Sequence, residues 1–280
     1  MKDGKELIVN FSGGKDSTAM LHLLFEHGEH VDEVIYFDGG WEFPQMADHV
    51  ALVEEKTGVK ITRLYPPEGD FDYYMFKKPV SSKNKGIYAG FSYPGFNMRW
   101  CTRLKVEAIE RYLKGRNVIH AIGFAVGEER RAVRQILKND KECVYPLLEY
   151  NYDEQDCLDY CYELGYTWDG LYKYLDRVSC FCCPYTNKKG MLKLKRHFPE
   201  IWQMIKDKDV EVQKARKQGG VAKWSTQGSF DEIDASIRGR DEEWNPAEWI
   251  EKLNIKQKPM QIEPIDNSPT LFDDEDIDND

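Results

Sequence analysis

The stretch SGGKDS at residues 12–17 constrains this chain more than any other feature. It follows an apolar run, ELIVNF (6–11), and opens into STAMLHLLFEHG, where Met20, Leu21, Leu24 and Phe25 recur at helical spacing up to Gly28. A strand, a glycine turn and a helix in succession make a phosphate cradle: the glycines admit a close backbone approach, and the first helical amides face an anion with their dipole. Lys15 adds a positive charge, and Ser12 and Ser17 add hydroxyls. A lone glycine pair would read as a simple strand–helix corner; the lysine, aspartate and two serines make an anion site the stronger reading. The pattern is not Walker A, because position 9 is Val and position 16 is Asp.

The flanking sequence repeats the strand–helix alternation. DEVIYFD (32–38) and VKITRLYP (59–66) read as strands, and FPQMADHVALVEEKTG (43–58) as a helix with Pro44 at its start and Gly58 past its end. Such alternation implies right-handed crossovers and a parallel sheet covered on both faces. Residues 67–97, rich in Gly, Pro, Tyr and Lys, show no period and read as a long loop or lid. A helix over 102–114 and a strand over 118–124 follow, then a helix over 153–165. Beyond it the chain reads as helical, notably at 197–207 and 245–253, with Trp100, Trp168 and Trp202 as core anchors.

Seven cysteines without an export signal read as metal ligands or reactive thiols rather than as a disulfide framework. Cys180 and Cys183 stand in C-x-x-C spacing within SCFCCPY (179–185), with Cys182 between them. Spacing alone leaves an iron–sulfur cluster, a structural zinc and free thiols open. Cys101 is a natural third ligand, and Cys182 a fourth or a substitute. Cys157 and Cys161, four apart on a helix, read as core, and Cys143 as structural. The six histidines show no metal-ligand spacing.

These motifs resemble the PP-loop family, the adenine nucleotide alpha hydrolases, whose signature SGGKDS is intact here. The nearer resemblance is to the branch of phosphoadenosine phosphosulfate (PAPS) reductases and the small subunit of ATP sulfurylase. YFDGGWEFPQM (36–46) is similar to the branch's D-T-G-x-x-F-P-E stretch, with Gly39 for Thr and Gln45 for Glu. RWCTRLKVEAI (99–109) resembles its cysteine-then-basic segment, and IGFAVGEERRAVR (122–134) its late G-x-x-x-x-E-x-x-R loop. The similarity spans residues 6–205.

The resemblance implies a Rossmann-like, HUP-type sheet of five parallel strands flanked by helices, with a helical cysteine-bearing region after it. It divides the chain into a nucleotide-binding domain (1–148), a helical region (149–260) and a disordered acidic tail (261–280). It implies ATP held by Ser12, Gly13, Gly14, Lys15, Asp16 and Ser17, with Mg²⁺, and cleavage between the α and β phosphates. Asp38 would face the same crevice, and Lys15, Asp16 and Arg131 would act on the phosphates or substrate. A 4Fe–4S cluster on Cys101, Cys180 and Cys183, with Cys182 in reserve, would serve sulfur transfer; zinc is the alternative.

Reductases of this branch carry an altered loop and a C-terminal nucleophilic cysteine. Here Lys15 and Asp16 are retained, and no cysteine follows Cys183, so ATP-dependent activation is favoured. Sulfonucleotide reduction, an adenylyltransferase like the ATP sulfurylase subunit, and a non-catalytic nucleotide module stay as alternatives. The acceptor is open, with nucleic acid as one class; a sulfur donor is required, and a homodimer is one arrangement.

The net charge of −10 excludes little, because DDEDIDND at the end holds six acids and leaves −4 for the rest. The lysine-rich runs at 77–85 and 188–198 read as solvated faces. Leu271 and Phe272 in the tail read as a disordered end or, more sharply, as a short docking motif. With neither a membrane-length apolar stretch nor a secretory core at the start, a cytoplasmic location is expected.

Overall fold

The apolar residues of the opening run occupy the centre of a sheet. The computed structural model describes residues 4–78, 90–95, 99–138, 142–178, 180–215, 222–224 and 228–241. Strands β1 (Glu6–Phe11), β2 (Glu33–Phe37), β3 (Ile61–Leu64), β4 (Val118–Ala121) and β5 (Cys143–Val144) are all parallel, in the order β3-β2-β1-β4-β5. Both faces of the central strands are covered: Ile8 and Val9 are fully buried, although they point to opposite sides of β1. The sheet is the Rossmann-like one expected. Its fifth strand has only two residues, too few to show a period in the sequence.

Helix α1 (Lys15–Glu26) is nearly central, with Ala19, Met20, Leu21, Leu23 and Leu24 buried, and Gly28 turns the chain away with φ of +69°. Helix α2 (Gln45–Thr57) ends on Gly58 in the left-handed conformation, the cap its sequence called for. Helix α3 (Trp100–Tyr112) starts two residues before its expected bound. Residues 129–138, part of a stretch read as a loop, form α4 (Glu129–Lys138), and α5 (Pro146–Glu149) is one short turn. Helix α6 (Glu154–Glu163) opens with a capping box made by Asp153 and Asp156. Its buried Cys157 and Cys161 face α1, so these thiols are core, as their spacing implied. Helices α7 (Leu171–Tyr174), α8 (Lys188–His197), α9 (Pro199–Ala215) and α10 (Phe230–Asp241) complete the described chain.

The expectation of an unstructured lid over 67–97 needs correction in its first part. Residues Tyr73–Lys77 form a π-helical turn, and Phe71, Tyr74 and Met75 are buried. Aromatic burial outweighs the missing period: Phe71 meets Trp41 at 5.2 Å and Trp100 at 5.4 Å between ring centroids. Residues 79–89, the helix expected at 245–253 and the acidic tail with Leu271 and Phe272 lie outside the described residues.

All described residues fall in the unit Met1–Glu242. We propose the division at 148 as an organisation by element type, with all five strands before it, and the boundary at 260 lies outside the described residues. Among the described residues, no helix is long and apolar enough to cross a membrane.

Candidate nucleotide and cysteine sites

The strand order reverses between β1 and β4, and the segments that follow these two strands line the crevice there, where open α/β sheets bind ligands. The loop after β1 is SGGKDS. Gly13 has φ of +76°, and a Cβ there would lie 2.6 Å from Met46 Sδ, so only glycine fits. From the β4 side, a Cβ on Gly123 would meet the Asp16 carbonyl and the Ser17 nitrogen at 3.4 Å. Ser12 and Ser17 hydroxyls are 3.0 Å apart, and Ser17 donates to the Gly14 carbonyl at 3.0 Å.

Gly14 caps α1 without a side chain to satisfy the helical amides. The Lys15 N–H instead donates to the Tyr172 hydroxyl at 2.9 Å. The Trp168 indole N–H donates to the Gly13 carbonyl at 2.7 Å, and the Cys161 thiol to the Lys15 carbonyl at 3.4 Å. The loop is thus wrapped by residues more than 140 positions downstream. Trp168 in turn stacks on His49 with centroids 4.4 Å apart, and His49 Nε2 sits 3.0 Å from the Thr18 hydroxyl.

Lys15 is 5% exposed, and its ammonium bonds Asp16 at 2.8 Å and Glu154 at 2.9 Å. Burial disfavours the charge, but Asp16 and Glu154 more than offset it and hold the pKa above its ordinary value. Burial raises the Asp16 pKa, against the pull of Lys15, and Glu154 and Glu128 raise it further. Two carboxylates therefore bracket the lysine, and the charge of a third, Glu128, reaches Asp16. A triphosphate entering alone would be repelled, so the donor set suits a nucleotide that brings Mg²⁺, an ion which takes one or two carboxylates and the phosphates themselves.

Arg131 lies in the first turn of α4. It pairs with Glu128 and stacks over Phe124 at 4.5 Å, which places it at the crevice border behind the carboxylate that neighbours Asp16. Asp38 follows β2 and accepts the Gly40 N–H at 2.8 Å. Its charge is felt by Glu42, on the cysteine side of the crevice.

The cysteines gather because each segment is anchored by an adjacent buried aromatic. Trp100 precedes Cys101, Phe181 follows Cys180, and Trp41 precedes Glu42; all three rings are at most 3% exposed. Trp41 and Trp100 meet at 5.6 Å, Phe43 and Phe181 at 6.4 Å, and the Phe181 N–H donates to the Trp41 carbonyl at 2.8 Å. Around Cys180 lie Glu42, Cys182, Cys183 and Cys101. The Cys180 thiol points at the Glu42 carboxylate, 3.8 Å away. Cys182 is 2% exposed and also faces Lys208 and Asp72, which makes it the most core-like of the four.

Burial raises the pKa of all four thiols. Burial also pushes Glu42 up to about 7, with Lys105 and the Cys180 hydrogen bond opposing and Asp38 adding to the rise. All seven cysteines are free thiols. Among the described residues, no group of three or more His, Cys, Asp or Glu side chains is arranged to hold a single metal ion. Cys101, Cys180, Cys182 and Cys183 lie within electrostatic reach of one another, with Arg99 and Arg177 near Cys183, a thiol-rich set whose chemistry suits iron or zinc.

An open parallel α/β sheet with this glycine loop at its switch point defines a PP-loop nucleotide-binding fold. The sequence pattern of the phosphoadenosine phosphosulfate reductase domain matches residues 6–186, and the chain belongs to that family. The uncharacterized protein MJ0066 of Methanocaldococcus jannaschii is 28% identical over 71% of this chain and 40% of its own length. MJ0973 of the same organism, also uncharacterized, is 24% identical over 69% of this chain and 45% of its own. This chain therefore spans under half the length of the curated relatives it matches. Among solved structures, the U34-tRNA thiolase NcsA from Methanococcus maripaludis, with its [4Fe-4S] cluster, is similar at 14% identity. That match covers 84% of this chain and 82% of the thiolase, with a TM-score of 0.41.

Glu42, Glu154, Trp168 and Tyr172 were not picked out as site residues from the sequence. All four stand inside the span 6–205 that carried the family resemblance, but nothing in their spacing distinguishes them from packing residues.

Proposed function

We propose that this chain binds ATP with Mg²⁺ at residues 12–17 and cleaves it between the α and β phosphates to adenylylate an acceptor. An acceptor oxygen attacks the α-phosphorus, the bond to the α–β bridging oxygen breaks, and pyrophosphate leaves. Sulfur from a hydrosulfide-type donor then attacks the activated carbon, and AMP departs with the former acceptor oxygen. Nucleic-acid bases, whose carbonyls can be activated in this way, are the acceptor class we favour.

The observation that carries this reading is the buried, charged Lys15 at the amino end of α1, beneath a glycine loop at the sheet's switch point. The loop amides and Lys15 would stabilise charge on the departing pyrophosphate. Mg²⁺ would relieve repulsion between the phosphates and Asp16, Glu154 and Glu128. Ser12 and Ser17 supply hydroxyl donors, and Arg131 with Asp38 would hold the borders of the crevice.

Cys101, Cys180 and Cys183 would hold a 4Fe–4S cluster, with Cys182 as the reserve ligand. Such a group, when bound, keeps incoming sulfur in its deprotonated, nucleophilic form. Glu42 would take or give the proton on the sulfur side, between Asp38 and Cys180. Retention of Lys15 and Asp16 argues for ATP rather than an already activated sulfonucleotide as the substrate.

The test is formation of AMP and pyrophosphate by anaerobically purified protein, with candidate base acceptors and a sulfide source. Lys15→Ala should lose that activity and keep its iron and sulfide. Full turnover in the variant would refute the loop assignment, and consumption of PAPS with thioredoxin but without ATP would favour the reductase alternative.

A further inference from the structure

Residues 168–178 form an unusual bridge between the two sites. Trp168, Asp169 and Gly170 have φ of +47°, +49° and +78°, three consecutive left-handed residues of which two carry side chains. Such a backbone persists only where its surroundings over-determine it. Here the anchors are the Trp168 bond to the Gly13 carbonyl and its stacking on His49. The strained turn brings Tyr172, whose ring meets Trp168 edge-on at 4.8 Å, to the mouth of the glycine loop.

The Tyr172 hydroxyl accepts the Lys15 N–H at 2.9 Å, and the Val178 carbonyl stands with it over Gly14. A Cβ built on Gly14 would meet this hydroxyl at 3.3 Å and the Val178 carbonyl at 3.7 Å. The phenol oxygen that meets the first amide of α1 and the main chain two residues before Cys180 therefore cover the same face of the glycine loop. That amide is among the groups an anion at a helix amino end uses. The hydroxyl and a phosphate oxygen compete for it.

We infer that the Tyr172 hydroxyl holds a phosphate-oxygen position on the loop, and that its displacement by nucleotide is passed through Val178 to the segment bearing Cys180 and Cys183. Nucleotide binding and the state of the cysteine segment are then coupled, and the coupling is reciprocal. In the reaction sequence, the sulfur-bearing side opens only when nucleotide is seated. Tyr172 acts here as a positioning residue. The inference rests on the ATP reading above.

The test uses the full chain as purified anaerobically, with Mg²⁺ and α,β-methylene-ATP as the probe. Hydrogen exchange across residues 173–183 should rise several-fold on saturation of the wild-type protein, and should not respond in Tyr172→Phe. Removing the competing hydroxyl should tighten the probe's Kd roughly three- to tenfold, the net worth of one neutral hydrogen bond. A purely structural role would leave the Kd unchanged, and that result would overturn the placeholder role.

Unchanged exchange in nucleotide-saturated wild type would overturn the coupling, and that arm needs no variant. Weaker binding by Tyr172→Phe would overturn the placeholder role and make the hydroxyl a phosphate contact. Failure of the wild type to bind the probe at all would instead remove the ATP reading, and this inference with it.

Discussion

The loop corner and the cysteine corner lie at the ends of neighbouring strands, yet they handle charge in opposite ways. At the loop, Lys15 stays charged although buried, because Asp16 and Glu154 are already in place. At the cysteines, burial raises the thiols, which keep their protons, and lifts Glu42 to about 7, so that it titrates near neutrality. The first corner contains its own counter-charge. The second would lose protons from its ligands on taking up a cation.

Separate experiments can break or sharpen that contrast. The largest effect is expected at the loop: Lys15→Ala should cut ATP turnover by roughly 10²–10³-fold or more, in line with losing a charged stabiliser of the leaving group. Cys180→Ser comes next and should act first on the other corner. Iron and sulfide per chain should fall to under about half, since one of three soft ligands is lost, while nucleotide affinity shifts only by the coupling between the corners, roughly tenfold or less. Complete loss of ATP binding in Cys180→Ser would show that the two corners do not form independently.

A smaller effect is expected at the seam between them. The resembled branch carries Thr where this chain has Gly39, and the reason is steric: a Cβ there would lie 2.4 Å from the Phe71 ring. Phe71 is 4% exposed and packed against Trp41 and Trp100, so it cannot easily yield. Gly39→Thr should lower unfolding free energy by about 1–3 kcal/mol, the usual cost of overpacking, measured by urea denaturation. Unchanged stability would mean that the aromatic cluster is softer than its packing implies.

The smallest effect concerns His49 under the loop. Burial lowers its pKa to about 3, so the folded protein keeps it neutral while the unfolded chain protonates it near 6.5. Between those values the unfolded state binds the extra proton. Stability is therefore complete above pH 6.5 and is lost as pH falls towards 3. His49→Gln should flatten the stability profile by about 1–2 kcal/mol between pH 7 and pH 5. An unaltered profile would assign the acid sensitivity to other groups.

Local patterns made much of the fold legible. Apolar runs at 6–11 and 33–37, helical spacing after Lys15, and glycines at 28 and 58 located their elements within a few residues. The legible signals are short-range ones: side-chain period, caps and turn residues. Two of the elements that escaped lacked such a signal. Strand β5 is two residues long, and the π-helical turn at Tyr73–Lys77 is held by long-range aromatic contacts rather than by a helical period.

The site divided in the same way. The sequence by itself nominated the glycine loop as the nucleotide site, because six consecutive residues at a strand–helix corner carry its lysine, aspartate and hydroxyls. It also nominated Cys101, Cys180 and Cys183, but could not say that Glu42 stands with them. Only the tertiary structure decided that Lys15 is flanked by Glu154 and that its amide meets Tyr172, since these partners are separated by 139 and 157 positions. A hydrogen bond depends on distance in space, and over such separations only the packed core sets that distance.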